Sequence, residues 1–287
     1  MKHLLLLLFS GILFSACDKP EELPSYIYIK PFLLSTDSAT EGASSSKITE
    51  GWVYYDNNLI GAYAIPGEVP VPATGKTDII VFPMVRNNGS SATPAIYSLY
   101  KRYDVSLNLS AGKTDTIYPV TSYIKDLNFA WLEDFESKNS LNFIAGADSA
   151  NTFKISTTGV KYGQKCGLFQ VTGPNDSLSV TTSTTISDIP YLGNVYLEVD
   201  YQGTAALQVD LLGNSINGSR GLEYATFQPK AEWNKAYIKF RFKDYDPRQY
   251  PSFNFIFSAQ IPTDASGKQL LKKAELRIDN IKLVYPK

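Results

Sequence analysis

Apolar and polar side chains alternate with a period of two through much of the chain, most sharply in its second half. Val195, Leu197, Val199 and Tyr201 share one face of a strand, and Tyr196, Glu198, Asp200 and Gln202 share the other. Ala205, Leu207, Val209 and Leu211 stand opposite Gln208 and Asp210. Ala236, Ile238, Phe240 and Phe242 stand opposite Tyr237, Lys239, Arg241 and Lys243. Phe253, Phe255, Phe257, Ala259 and Ile261 stand opposite Asn254, Ser258 and Gln260. Strands with one apolar and one polar face are what a two-sheet sandwich requires. Thr181 to Thr185 has strand propensity but no apolar face, which suits an edge. In the final strand the apolar set Leu276 and Ile278 resumes as Ile281 and Leu283, so the period slips by one at Asp279-Asn280. A β-bulge that re-aims an acidic side chain would produce that slip. No stretch has sustained helical periodicity.

The first half reads as shorter strands. Tyr26 to Ile29 opens it, and Ser35 to Ser46 is a Ser/Thr/Ala/Gly-rich loop. Gly51 to Tyr55 leads into the turn signal Asp56-Asn57-Asn58 and the return strand Leu59 to Tyr63. Pro66, Pro70 and Pro72 mark an irregular crossing before Asp78 to Phe82. Tyr103 to Leu109 alternates cleanly, and Asp115 to Tyr118 closes the piece. The loop Arg86 to Pro94 is long and polar; it reads as an ordinary surface loop, with partner contact as the other reading. The expected layout is a tether over 17–25, a first sandwich over 26–120, a linker over 121–128 and a second sandwich over 129–287. The fold class is therefore all-β.

Composition narrows the chemistry. Lys plus Arg numbers 27 against 28 Asp plus Glu, so no basic surface argues for a nucleic-acid partner. Tyr (19) and Phe (15) are abundant, in keeping with sheet. The single histidine, His3, lies in a short N-terminal apolar run with the layout of a signal peptide over 1–16: Lys2 and His3, then Leu4 to Phe14, then Ser15-Ala16. Once that run is cleaved, no imidazole remains for Ser-His-Asp or Cys-His catalysis or for a histidine metal site. The two cysteines are Cys17 and Cys166, and Cys166 is expected as a buried thiol.

Leu13-Phe14-Ser15-Ala16-Cys17 resembles the lipobox of bacterial lipoproteins, which implies that Cys17 is acylated and becomes the mature N-terminus. The acidic tether Asp18 to Glu22 resembles the surface-export signal of Bacteroidota-type lipoproteins. The implied address is a lipid anchor in the outer membrane, at the cell surface or the periplasmic face. Residues Trp52 to Phe82 resemble PEGA and related immunoglobulin- or transthyretin-like modules in their order of strand, glycine turn, proline loop, glycine and return strand. This implies a non-catalytic spacer or adhesive sandwich.

Three features of the second half resemble jelly-roll carbohydrate-binding modules with a galactose-binding-like fold. They are Glu133-Asp134-Phe135-Glu136, a tryptophan (Trp233) before a central strand, and the terminal Ile278-Asp279-Asn280-Ile281-Lys282-Leu283. The resemblance implies that the first and last strands lie side by side. It also implies a structural calcium held by Asp134, Glu136 and Asp279. Trp52, Trp131 and Trp233 are expected in the core, with a sugar-stacking role as the other reading of Trp233.

Paired carboxylates, Glu198 with Asp200 or Asp134 with Glu136, leave glycoside hydrolysis as the enzyme reading to test. The favoured reading is non-catalytic glycan binding through one sheet face carrying Tyr196, Glu198, Asp200, Gln208, Asp210, Tyr237, Arg241 and Asn254. Its alternative is an accessory subunit of an outer-membrane transport, secretion or motility complex, acting through protein contacts.

Overall fold

The alternating segments pair into two β-sandwiches in the computed structural model, which describes residues 23–90, 94–137, 139–143, 151–173, 177–242 and 248–287, with only the backbone at 222–224. Cys17, the expected signal peptide over 1–16, most of the expected tether and Lys243 lie outside the described residues. No α-helix forms among the described residues, and no helix there is long and apolar enough to cross a membrane.

The first sandwich comprises β1 (Ser25–Ile29), β2 (Leu33–Ser35), β3 (Glu50–Tyr55), β4 (Asn58–Ala64), β5 (Gly67–Val71), β6 (Gly75–Arg86), β7 (Pro94–Ile96), β8 (Tyr103–Leu109), β9 (Thr114–Ile117) and β10 (Val120–Ser122). One sheet runs β5-β1-β9, with β1 and β9 parallel. The other runs β4-β3-β6-β7, with β8 also on β6, and β2 pairs with β10 in a ribbon. The β3–β4 hairpin turns at Asp56 and Asn57, both left-handed at φ 44° and 65°. That is the mirror-image turn that matches strand twist, and Asp and Asn tolerate it. Ile27, Val53, Val69, Val81, Val85 and Leu109 are among the side chains filling the core.

The second sandwich comprises β11 (Leu127–Glu133), β12 (Leu141–Phe143), β13 (Thr152–Ser156), β14 (Cys166–Thr172), β15 (Ser177–Thr182), β16 (Ile186–Ser187), β17 (Val195–Gly203), β18 (Ala206–Ser215), β19 (Gly218–Phe227), β20 (Lys230–Phe240), β21 (Ser252–Gln260) and β22 (Lys273–Pro286). Its inner sheet has the order β13-β14-β22-β17-β20, with β11 also on β22. Its outer sheet has the order β12-β15-β21-β18-β19, with β16 also on β21. The first and last strands are neighbours, as the jelly-roll resemblance implies. The apolar faces read from the sequence all enter one core, from Val195, Leu197 and Val199 through Phe253, Phe255 and Phe257 to Ile281 and Leu283. At about 25 cal/mol per Å² of apolar surface, burial on this scale is what holds the two sheets together.

Several expectations are corrected. The 121–128 segment is not a solvated linker: Thr121 and Tyr123 are buried, and β11 begins at Leu127. The threonine-rich segment is not an edge, because β15 lies between β12 and β21 and supplies Leu178 and Val180 to the core. Trp52 is half-buried and outside the core clusters. Trp131 packs on the core, stacked on Phe255 at 6.2 Å. Trp233 is only partly buried and donates its indole N–H to Gly159 O at 3.1 Å. Cys166 is a buried free thiol, and burial pushes it up to about 11.

Candidate functional site

Strand order decides which polar side chains meet. Tyr196, Glu198 and Asp200 stand on β17, Tyr237 stands on β20, and Arg241 lies just beyond the end of β20, all on the inner sheet. Gln208 and Asp210 stand on β18 and Asn254 on β21, in the outer sheet. The eight residues expected on one ligand-binding face therefore divide between two sheets whose polar sides point away from each other.

The polar side of the inner sheet is not solvated either. Tyr196, Glu198, Asp200 and Tyr237 are at most 2% exposed, because the first sandwich lies over them. Tyr196, Tyr237 and Val284 belong to the hydrophobic cluster of that first sandwich. Tyr97 meets Tyr196 at 4.6 Å, Tyr237 at 5.0 Å and Tyr100 at 4.5 Å, all edge to face. Such pairs add about 0.5–1.5 kcal/mol each beyond simple burial.

Charges lie beneath these rings. Glu198 Oε1 accepts from the Tyr97 hydroxyl at 2.6 Å and the Tyr123 hydroxyl at 2.9 Å, and Lys235 Nζ lies 3.0 Å from Oε2. Burial and then the Glu198 charge hold the Tyr97 and Tyr123 hydroxyls well above the usual tyrosine range, so both stay donors. Burial alone would lower Lys235, but the Asp200 and Glu198 carboxylates outweigh it and hold the ammonium above its ordinary value. Asp200 Oδ1 accepts from Ser45 Oγ at 2.7 Å and Lys161 Nζ at 3.0 Å. A pair of carboxylates sealed in this way is not open to a sugar substrate.

Two loops make the junction. The Ser-rich loop brings Ser45 to Asp200, Ala43 O to Lys282 Nζ at 2.6 Å, and the Lys47 N–H to the Tyr237 hydroxyl at 3.0 Å. Within it Gly42 is left-handed at φ 70°, and a Cβ there would stand 3.3 Å from Lys282 Cε. The polar loop after β6 lies along β20, the end strand of the inner-sheet path. The Asn88 N–H donates to Tyr237 O at 2.8 Å, and Asn88 Oδ1 accepts from the Lys239 N–H at 2.9 Å. The loop therefore contacts the second sandwich of the same chain, and the contact covers backbone groups that an edge strand would expose.

Each of the three acids expected to hold calcium accepts backbone N–H groups of the chain. Asp134 Oδ1 accepts the Glu136 N–H at 3.0 Å. Glu136 Oε1 accepts the N–H groups of Gln164 and Lys165 at 2.7 and 2.9 Å. Asp279 is buried and faces Asp200 across β17–β22. Burial lifts its carboxyl to about 7, the Asn280 N–H lowers it, and the Asp200 charge raises it further. No group of three or more His, Cys, Asp or Glu among the described residues is arranged to hold a metal ion. The acid that matters structurally in the Glu133–Glu136 motif is Glu133, which was not singled out. It is buried, and it accepts the N–H groups of Phe135 and Ser140 at 2.8 and 2.6 Å. Phe135, left-handed at φ 61°, is fixed by that contact.

The polar side of the outer sheet is half-exposed and internally linked. Gln208 Nε2 donates to both Asp210 oxygens at 3.0 and 2.9 Å, and Gln260 donates to Gln208. Ser179 and Ser258 share a hydrogen bond of 2.7 Å. Asn214 donates to Asn254 Oδ1 at 2.8 Å, and Asn254 donates to Thr182 Oγ1 at 2.9 Å. Gln208, Ser258 and Ser179 form one rung across three strands, and Leu212 with Asn254 forms another.

No family profile matches the chain, and neither does any curated protein. Among solved structures, the CBM22-1 xylan-binding domain of Paenibacillus barcinonensis Xyn10C is 15% identical. It aligns with 57% of this chain and 98% of its own at a TM-score of 0.42. The family 11 carbohydrate-binding module of Clostridium thermocellum Lic26A-Cel5E is 18% identical, with 52% and 90% coverage and a TM-score of 0.35. These likenesses concern outline alone. The all-β, two-sandwich architecture is read from the strand pairing itself.

Proposed function

We propose that the chain is a non-catalytic glycan-binding protein of the cell envelope, and that the polar side of the outer sheet is its binding face. The observation that carries this reading is the linked row of amide, hydroxyl and carboxylate groups through Gln260, Gln208 and Asp210 and through Asn214, Asn254 and Thr182. These groups are held by one another in a half-exposed sheet, so hydroxyl ligands meet oriented donors and acceptors with little ordering left to do. The inner-sheet tyrosines take no part, since they are buried between the sandwiches.

The test is retardation of the full chain in native gels cast with polysaccharides. The panel includes xylan, for which the similar Paenibacillus domain is named, and mixed-linked β-glucan. Gln208→Ala and Asn254→Ala should each weaken retardation by about 0.5–1.5 kcal/mol without changing the melting temperature by more than a few degrees. A blank panel, with stoichiometric co-purification of an outer-membrane protein, would replace this reading with the accessory-subunit one.

The reading places the protein on a membrane through acylated Cys17, supported by the lipobox-like Leu13 to Cys17. Cys17→Ser should move the protein from the detergent phase to the aqueous phase. Unchanged partitioning would remove the anchor from the proposal.

A further inference from the structure

We infer that the cleft between the two sandwiches is a second binding site, and that its ligand is an acidic saccharide such as a uronate residue. The cleft has a volume of about 250 Å³. Lys47, Arg86 and Gly89 line it from the first sandwich, and Phe227, Lys230 and Asn234 are among the residues lining it from the second. It is separate from the outer-sheet face, and its ligand chemistry is different.

Four cations line this space. Arg86 is occupied by Glu50, its Nε donating to Oε1 at 3.1 Å. Lys47 and Lys230 have no ion-pair partner among the described residues. Lys235 also reaches the cleft wall, but its ammonium is 3.0 Å from Glu198 and that charge is balanced. The surplus therefore belongs to Lys47 and Lys230, one from each sandwich. Lys47 is exposed, and its Nζ donates to Asn234 Oδ1, while the Asn234 amide donates to the Tyr201 hydroxyl at 2.9 Å. Burial first, then the charges of Lys230 and Arg86, push the Lys47 ammonium below its ordinary value, so like charges held there repel. A carboxylate between them removes that repulsion and gains charge-assisted hydrogen bonds.

The rest of the lining selects among anions. The exposed Gln228 amide suits ring hydroxyls, whereas Phe227 and Ala236, at 5% and 2% exposed, belong to the core and show the cleft little surface. Gly89 allows the approach of the first sandwich, since at φ 71° a Cβ on it would stand 3.0 Å from the Phe227 ring. A bare inorganic anion would use the lysines and leave that amide unused. A neutral sugar would use the amide and leave the lysines unbalanced.

The experiment is calorimetric titration of the full chain in detergent with trigalacturonate, with cellotriose and sodium sulfate as comparison ligands. Trigalacturonate should bind, and its affinity should fall as sodium chloride is raised. Lys47→Gln combined with Lys230→Gln should weaken binding about tenfold or more, while Lys47→Arg combined with Lys230→Arg retains it. Arg102→Gln, an exposed cation paired with Asp104, should change nothing. If the double Gln variant loses its native circular dichroism, the single Lys230→Gln gives the same reading. Silence with trigalacturonate would overturn the site, as would unchanged affinity in a folded Lys230→Gln variant. Equally tight binding of cellotriose or sulfate that the double Gln variant also loses would overturn the ligand class.

Discussion

Glu198 is the residue on which the junction depends most. Its two oxygens serve Tyr97, Tyr123 and Lys235, and none of the four side chains is more than 4% exposed. Removing one member of a buried ion pair leaves the other charge uncompensated, at about 3–5 kcal/mol. Glu198→Ala should therefore destabilise the chain by that amount in urea titration. Adding Lys235→Met should restore a large part, whereas equal losses in the single and double variants would show that the pair is not coupled. Lys282 makes a different prediction. Burial first lowers its ammonium to about 8, Glu198 and Asp200 pull it up, and Lys235 pushes it down. Between about 8 and the ordinary lysine value near 10.4 the unfolded chain binds more protons than the folded one, so this group adds stability as pH rises through that window. Relative to Lys282→Met, the native chain should gain stability from pH 7 to pH 10. A flat difference between the two would show that Lys282 titrates normally.

At the scale of elements, the bulge in β22 allocates faces. Glu198 pairs with Lys282 and Asp200 with Asp279, so β22 carries one residue more than β17 between those rungs. Leu276 and Ile278 before the bulge, and Ile281 and Leu283 after it, all enter the core, while Asp279, Lys282 and Val284 turn to the junction. Asn280 takes the left-handed conformation at φ 49°, which a β-branched residue resists by about 1–2 kcal/mol. Asn280→Val should lower the urea midpoint accordingly at unchanged slope, and Asn280→Gly should be near neutral; matching effects would show that the bulge has moved. This slip was legible because it breaks a period of two between apolar residues. The inward faces of β17, β18, β20 and β21 were legible for the same reason. The fate of the opposite faces was not, because alternation gives each strand two sides but not its neighbours or what covers it. Tyr196 and Tyr237, read as ligand contacts, were the signal of a second apolar layer. The Ser-rich loop gave none, since its contacts to Asp200 and Lys282 are hydrogen bonds that composition does not encode.

Across the whole molecule, the junction makes the two sandwiches depend on each other. An isolated second sandwich would expose Tyr196, Tyr237 and Val284 together with the charges of Glu198, Asp200, Lys235 and Lys282, groups arranged to be met by Tyr97, Tyr123 and Ser45. Both the apolar and the ionic surfaces are unfavourable when bared, the first through lost burial and the second through charges left without their donors. The chain should therefore melt in a single calorimetric transition whose van't Hoff and calorimetric enthalpies agree. Tyr97→Ala tests this directly, because Tyr97 is fully buried, touches Tyr100, Tyr196 and Tyr237, and donates to Glu198. Losing a buried aromatic of this kind costs about 3–5 kcal/mol, so the transition should move down in temperature or divide into two as the sandwiches uncouple. Two transitions in the unaltered chain would mean that each sandwich is stable alone. In that case the spacing of Lys47 and Lys230 across the cleft would vary with the hinge between them, whereas a single transition ties that spacing to the fold.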